Sequence, residues 1–273
     1  MEATGHAQSE AFLWGPEMSR NHSGADWLRL PLLAAALSAA TMAAAATPAP
    51  SVDEIVARHV SACGGLKKIQ SIQTLREKGY MTSGADRRAL VTRERKRPNR
   101  TRFEVTVQGV TGVFASDGQH GWRMAPFEGD EAPTPLPAEV VVEAAERGDI
   151  EGPLVDYKAK GHRVELAGRE SVGGREAYRL KLTLKSGSVR TEYLDVKTFQ
   201  RLRTDSTRQV RGRAVQIQTT YGDYKKVRGI LFPRLIEVEA SGRPQKLRVV
   251  VETIEVNPPL GDDRFELSAP PQP

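Results

Sequence analysis

From about Thr74 to Trp122, and again from Val164 to Val256, hydrophobic residues recur at every second position over much of the chain, and this constrains the fold more than any other feature. A period of two sends successive side chains to opposite faces, so each such stretch is a strand with one face buried. The cleanest case sets Tyr178, Leu180, Leu182 and Leu184 against Arg179, Lys181, Thr183 and Lys185. Phe103, Val105 and Val107 alternate with Arg102, Glu104 and Thr106, and Val215, Ile217, Thr219 and Tyr221 with Gln216, Gln218 and Thr220. Glycine turns at Ser83-Gly84, Asp117-Gly118, Gly173-Gly174, Ser186-Gly187, Arg211-Gly212, Arg228-Gly229 and Ser241-Gly242 cut the pattern at hairpin intervals. The reading is an antiparallel meander of about eleven strands. In the last strand the apolar phase moves from Leu247, Val249 and Val251 to Ile254 and Val256, which predicts a bulge near Glu252-Thr253.

Helical signals precede and interrupt this meander, so the fold class is α+β. Ser51 with Glu54 three residues on makes a capping box, after which Ile55, Val56, His59, Val60 and Cys63 share one helical stripe. Gly64-Gly65 ends that helix, and Leu66, Ile69 and Ile72 continue as a short turn. The segment 126–161 is not strand-like; it holds a predicted helix from Leu136 to Arg147, with Pro137 in its first turn and Gly148 at its end. An insertion this long in a compact domain suits a lid or binding element.

The N-terminal residues read as an address. Arg20 and Arg29 precede an apolar, alanine-rich run that ends in small residues, the order of a secretory signal, with cleavage expected after Ala46. The acidic residues before Met18 do not suit such a signal, which makes Met18 an alternative start. On this reading 1–46 is the signal peptide, 47–51 a short linker, 52–268 a single domain and 269–273 a Pro-rich tail. The expected product is a soluble periplasmic monomer. The formal net charge is +6, and because 1–46 carries two arginines against four acids, the exported part is more basic still. That charge suits anionic headgroups or an acidic partner; export argues against nucleic acid. Cys63 is the single cysteine, which rules out an intramolecular disulfide.

Catalytic motifs are missing from the sequence. His59 and Cys63 have the i, i+4 spacing of a chelating pair, but no second pair completes a metal site, and core packing is the better reading. His120 and His162 sit in glycine-flanked turns without a nucleophile motif, and neither a G-x-S-x-G elbow nor a phosphate-binding loop occurs. The expectation is a non-enzyme without cofactor or metal. The densest charge run extends from Arg87-Arg88 through Arg93, Arg95, Lys96 and Arg97 to Arg100 and Arg102. It reads as a solvated outer face or as a docking patch for anionic lipid.

Cys63-Gly64-Gly65-Leu66-Lys67-Lys68-Ile69, Thr106-Val107-Gln108-Gly109-Val110-Thr111-Gly112-Val113 with Asp117-Gly118 and Gly121-Trp122, Gly152-Pro153-Leu154-Val155-Asp156-Tyr157-Lys158, and Tyr178-Arg179-Leu180-Lys181-Leu182 with Tyr193-Leu194-Asp195 form a set. With the order of elements, this set resembles the outer-membrane lipoprotein-sorting proteins, the LolA-like periplasmic carriers, over nearly all of 52–267. The resemblance implies a half-open β-barrel wrapping an N-terminal helix and a helical lid, with acyl chains bound between. Phe103, Val105, Val107, Phe114, Trp122, Met124, Tyr178, Leu180, Leu182, Ile217 and Val249 are then the expected cavity lining, and Leu136, Val140, Val141 and Leu154 the lid contacts. Trp122 as a cavity residue would report binding by fluorescence, although an ordinary core aromatic is the simpler reading. In well-studied carriers an arginine inside the barrel holds the lid; the sequence does not single one out here. The implied function is carriage of a lipoprotein or lipid toward the outer membrane, with an inner- or outer-membrane transport partner. The alternative is a lipid-sensing interaction module of the cell envelope.

Overall fold

The computed structural model describes residues 50–84, 87–210 and 213–267. The signal peptide, the choice of start, most of the linker, the Arg211-Gly212 turn and the Pro-rich tail lie outside the described residues. Ser51 caps helix α1 (Val52–Ala62): its hydroxyl accepts from the Glu54 amide, while the Glu54 carboxylate accepts from the Ser51 amide at 2.7 Å. A cap of this kind is worth about 1 kcal/mol. Gly64 and Gly65 then take φ of 122° and 90° and turn the chain into the five-residue α2 (Leu66–Gln70). At Gly64 a Cβ would sit 2.5 Å from the Gly229 carbonyl oxygen, so the docking of this turn on a later hairpin requires glycine.

Two antiparallel meanders follow. The first comprises β1 (Thr74–Ser83), β2 (Arg87–Lys96), β3 (Arg100–Val107), β4 (Val110–Ser116), β5 (Gly121–Ala125) and β6 (Asp130–Pro135). The second comprises β7 (Arg163–Val172), β8 (Arg175–Thr183), β9 (Val189–Asp195), β10 (Arg201–Val210), β11 (Arg213–Val227), β12 (Ile230–Ala240) and β13 (Leu247–Val256). Pairing of β1 with β13 joins them into one 13-stranded sheet with β6 and β7 at its edges. This exceeds the eleven or so strands expected, in part because β6 lies inside the supposedly strand-free insertion. Its sequence, DEAPTP, carries Pro133 and Pro135, which lack an amide for the ladder and are tolerated because β6 is an edge. The expected bulge is present: Gly79 faces Val251 while Lys78 faces Thr253, leaving Glu252 as the extra residue.

Helix α3 (Ala138–Gly148) packs on β3, β4 and β5. Its Glu143 and Glu146 also reach Arg208 on β10 at 3.5 Å and Arg190 on β9 at 3.4 Å. Five strands separate β3 from β10 in the sheet, so one helix can touch both only because the sheet curls into a trough. One end of the trough is filled. There, Ile55 and Val56 of α1 pack with Leu154, Tyr178, Leu180, Leu182, Leu184 and Leu194. Alongside, Ile69 of α2 joins Ile72, Leu75, Ile150, Val155, Ile230, Phe232 and Val256. Each such buried aliphatic side chain contributes about 1.5–3 kcal/mol. The hairpin turns at Ser83-Gly84, Gln108-Gly109 and Ser241-Gly242 ring the opposite end.

Candidate functional site

Cross-strand partners share a face, so the register identifies which residues line the concave side of the trough. It runs from Leu182 through Arg190 and Ser206 to Ile217, and from Ile236 through Val249 and Met81 to Ala89. Val91 continues to Val105, and Phe103 to Phe114. Phe103, Val105, Val107, Phe114, Tyr178, Leu180, Leu182, Ile217 and Val249 therefore lie on the concave face. Tyr178, Leu180 and Leu182 are already covered by α1 and belong to the core. Of the remainder, Phe103, Val105, Val107 and Val249 share an apolar patch with Met81, Ala89, Val91 and Leu247, in which Met81, Ala89, Val91 and Val105 are buried and the others only partly so; Ile217 and Phe114 lie outside that cluster. These partly covered side chains are the surface a ligand can reach.

Trp122 and Met124 are corrections. Trp122 pairs with Ala115 and Met124 with Val113, on the face opposite Phe103 and Phe114. They form a separate convex cluster with Ala115 and Val113. The apolar-inward rule fails here because the sheet buries part of its outer face as well. Arg102 stacks 5.5 Å from the Trp122 ring and donates to the Arg264 carbonyl at 2.9 Å, tying down the C-terminal segment that buries Phe265. Concave-side position 123 is instead an arginine, held by Asp130 and Glu128.

The four lid residues also separate. Val141 is buried and approaches Gly121 together with Leu136, so these two seat α3 against β5, while Val140 is partly buried. Leu154 is 1% exposed within the α1 core and makes no part of α3's seat. At the C-terminal end of α3, Gly148 lies against Asn99, where a Cβ would fall 2.2 Å from the carbonyl oxygen.

The basic run misled in a different way. Arg93 and Arg95 point into the trough, where both bind Glu77, at 2.7 and 3.0 Å. Glu77 is 4% exposed; burial alone would raise its carboxyl, but the two arginines outweigh this and hold it below the usual range. Arg97 donates to the carbonyls of Ile72 and Ile69 and pairs with Glu151, while Arg100 and Arg102 pair with Asp262 and Glu104. Most of this run is thus neutralised within the molecule and is neither a bare face nor a docking patch.

A second polar group lies between α1 and β9 to β11. Glu192, 1% exposed, accepts from Thr204 Oγ1 at 2.8 Å and lies 2.9 Å from Arg201 Nε, too poorly aligned for a directed hydrogen bond. Burial would lower the Arg201 pKa, but Glu192 drives it above its ordinary value. His59 Nδ1 donates to the Phe199 carbonyl at 2.7 Å, and its other nitrogen lies 3.8 Å from Cys63 Sγ. Burial, with Arg201 nearby, lowers the His59 pKa to about 4, so the ring is neutral. His120 is exposed beside Asp117, and His162 accepts from the Lys185 amide. Among the described residues no three His, Cys, Asp or Glu side chains group as a metal cage. Sequence reasoning missed Glu77, Glu192 and Arg201; the one signal was that Glu77, Arg93 and Arg95 occupy the inward phase of their strands.

Two clefts of about 590 Å³ each indent the surface. One lies near the Ser241-Gly242 turn and includes Ile217, Gln216, Gln218 and Glu239. The other separates α1 from 156–159 and is lined by Val56, Val60, Gly65, Leu66 and Tyr157. Among the described residues no helix is long and apolar enough to cross a membrane.

No protein-family model matches the sequence, and no curated protein sequence is similar to it. Solved structures are similar in fold. A DUF1329 family protein from Desulfovibrio piger superposes with a TM-score of 0.54 at 16% identity, over 80% of this chain and 98% of that one. The domain of a putative outer membrane lipoprotein-sorting protein from Vibrio parahaemolyticus gives 0.53 at 11%, over 79% and 97%. A LolA superfamily protein from Nitrosomonas europaea gives 0.52 at 14%, over 80% and 99%. The chain therefore has a LolA-like fold, as its motifs suggested.

Proposed function

We propose that this protein is a periplasmic carrier that holds the acyl chains of a lipoprotein or lipid against the concave face and delivers them toward the outer membrane. One observation carries this reading: an apolar patch, Phe103, Val107, Leu247 and Val249, stays partly uncovered inside a curled sheet. An acyl chain in water costs about 0.8 kcal/mol per methylene, so transit through an aqueous space needs a shield of this kind. The fold shared with a lipoprotein-sorting domain supports the assignment.

In this reading α3 is the lid. Its apolar side sits on β3 to β5, whereas its other side is held by Glu143 to Arg208 and Glu146 to Arg190 and Ser186. These partly exposed contacts are worth little each, about 0.2–1 kcal/mol, which suits a cover that must release. The domain spans 52–268, follows a cleaved signal peptide, and acts without catalysis or cofactor.

Vesicle transfer tests the proposal. The protein should take a labelled acylated peptide from donor vesicles and pass it to acceptor vesicles, and Phe103→Asp with Val249→Asp should abolish uptake. Retention of bound ligand without delivery would turn the assignment to a sensor; failure of any acyl ligand to bind would end it.

A further inference from the structure

Five exposed cations that make no ion pair among the described residues gather at one end of the sheet: Lys67 and Lys68 of α2, and Lys225, Lys226 and Arg228 at the β11–β12 turn. They lie far apart in sequence, yet the fold brings α2 against the β11–β12 turn, where Lys225, on the face of Phe232, and Lys226, on the opposite face, flank the hairpin end. The Leu231 amide donates to the Cys63 carbonyl at 2.9 Å, Gly64 packs on Gly229, and Lys68 Nζ lies 2.8 Å from where a Gly229 Cβ would stand. Leu66, 40% exposed, projects beside them, and the cleft lined by Val56, Val60, Leu66 and Tyr157 opens alongside. Acids nearby are already engaged: Asp156 accepts from Gln70, and Asp223 lies 4.0 Å from Arg234.

We propose that α2 and the β11–β12 turn form a docking surface for an anionic membrane. Four of the five charges are lysines, mobile point charges on long stems that suit a fluid array of headgroups rather than one fixed carboxylate pattern. The exposed leucine supplies the apolar foot that enters between headgroups. Docking here presents the α1 cleft to the lipid, and it does not depend on the trough holding any cargo.

Flotation of the whole chain with vesicles tests this. Neutral phosphatidylcholine vesicles set the baseline, because the apolar run before Ala46 could hold the chain to any bilayer. Adding phosphatidylglycerol should raise binding in a salt-sensitive way. Replacing Lys67, Lys68, Lys225 and Lys226 by alanine should reduce that increment about fivefold per lysine, and Leu66→Ser should weaken it without changing charge. Lys181→Ala with Lys185→Ala, which removes the same charge as any two of the patch lysines from exposed residues of and just after β8, should leave it unaltered. The proposal is overturned if the remote pair matters as much as the patch. It is equally overturned if the patch variants bind as the parent does, or if the chain captures poly-glutamate but not phosphatidylglycerol vesicles.

Discussion

His59 shows how one buried side chain sets a pH response. An imidazole free in the unfolded chain titrates near 6.5, whereas the folded value is about 4, so between these limits the unfolded state binds the extra proton. Stability from this group is complete above pH 6.5 and is lost as the pH falls toward 4, by about 3 kcal/mol. Urea unfolding across that range should show the slope, and His59→Leu should flatten it relative to the parent. Glu77→Gln is expected to cost about 3 kcal/mol, because Arg93 and Arg95 would keep their charges without a buried partner. Trp122, on the convex face, should not change its emission when an acyl ligand binds, whereas Phe103→Trp in a Trp122→Phe background should report it.

At the scale of elements, α3 is the piece whose attachments are weakest on one side. Glu143→Ala with Glu146→Ala removes its contacts with β9 and β10 but leaves its apolar seat, so an acyl probe should dissociate about fivefold faster with the fold intact by circular dichroism. The helix was legible in the sequence, with bounds shifted by a residue or two, because Pro137 and Gly148 mark its ends. So were the capping box of α1 and the bulge at Glu252, each written in a short local pattern. β6 was not, because its prolines argue against a strand unless its edge position is known. Which face Trp122 takes was equally hidden, since β5 can bury either phase when the C-terminal segment covers the outside. The inward arginines looked like a solvated face because Glu77, the charge that satisfies them, comes from a different strand.

At the scale of the whole molecule, the sheet depends on its central seam. β1 and β13 pair with Leu75 opposite Val256, so strands from the two ends of the described chain meet in the middle of the sheet. Ending the chain after Ala240 should leave the two meanders unjoined, with loss of the cooperative unfolding transition and exposure of dye-binding apolar surface. Closing so long a loop costs entropy that is recovered only when the last strand arrives. A polypeptide wired this way cannot complete itself early: until Val256 is in place beside Leu75 the two halves have no common border, and the last strand to form is the one that sets the finished shape.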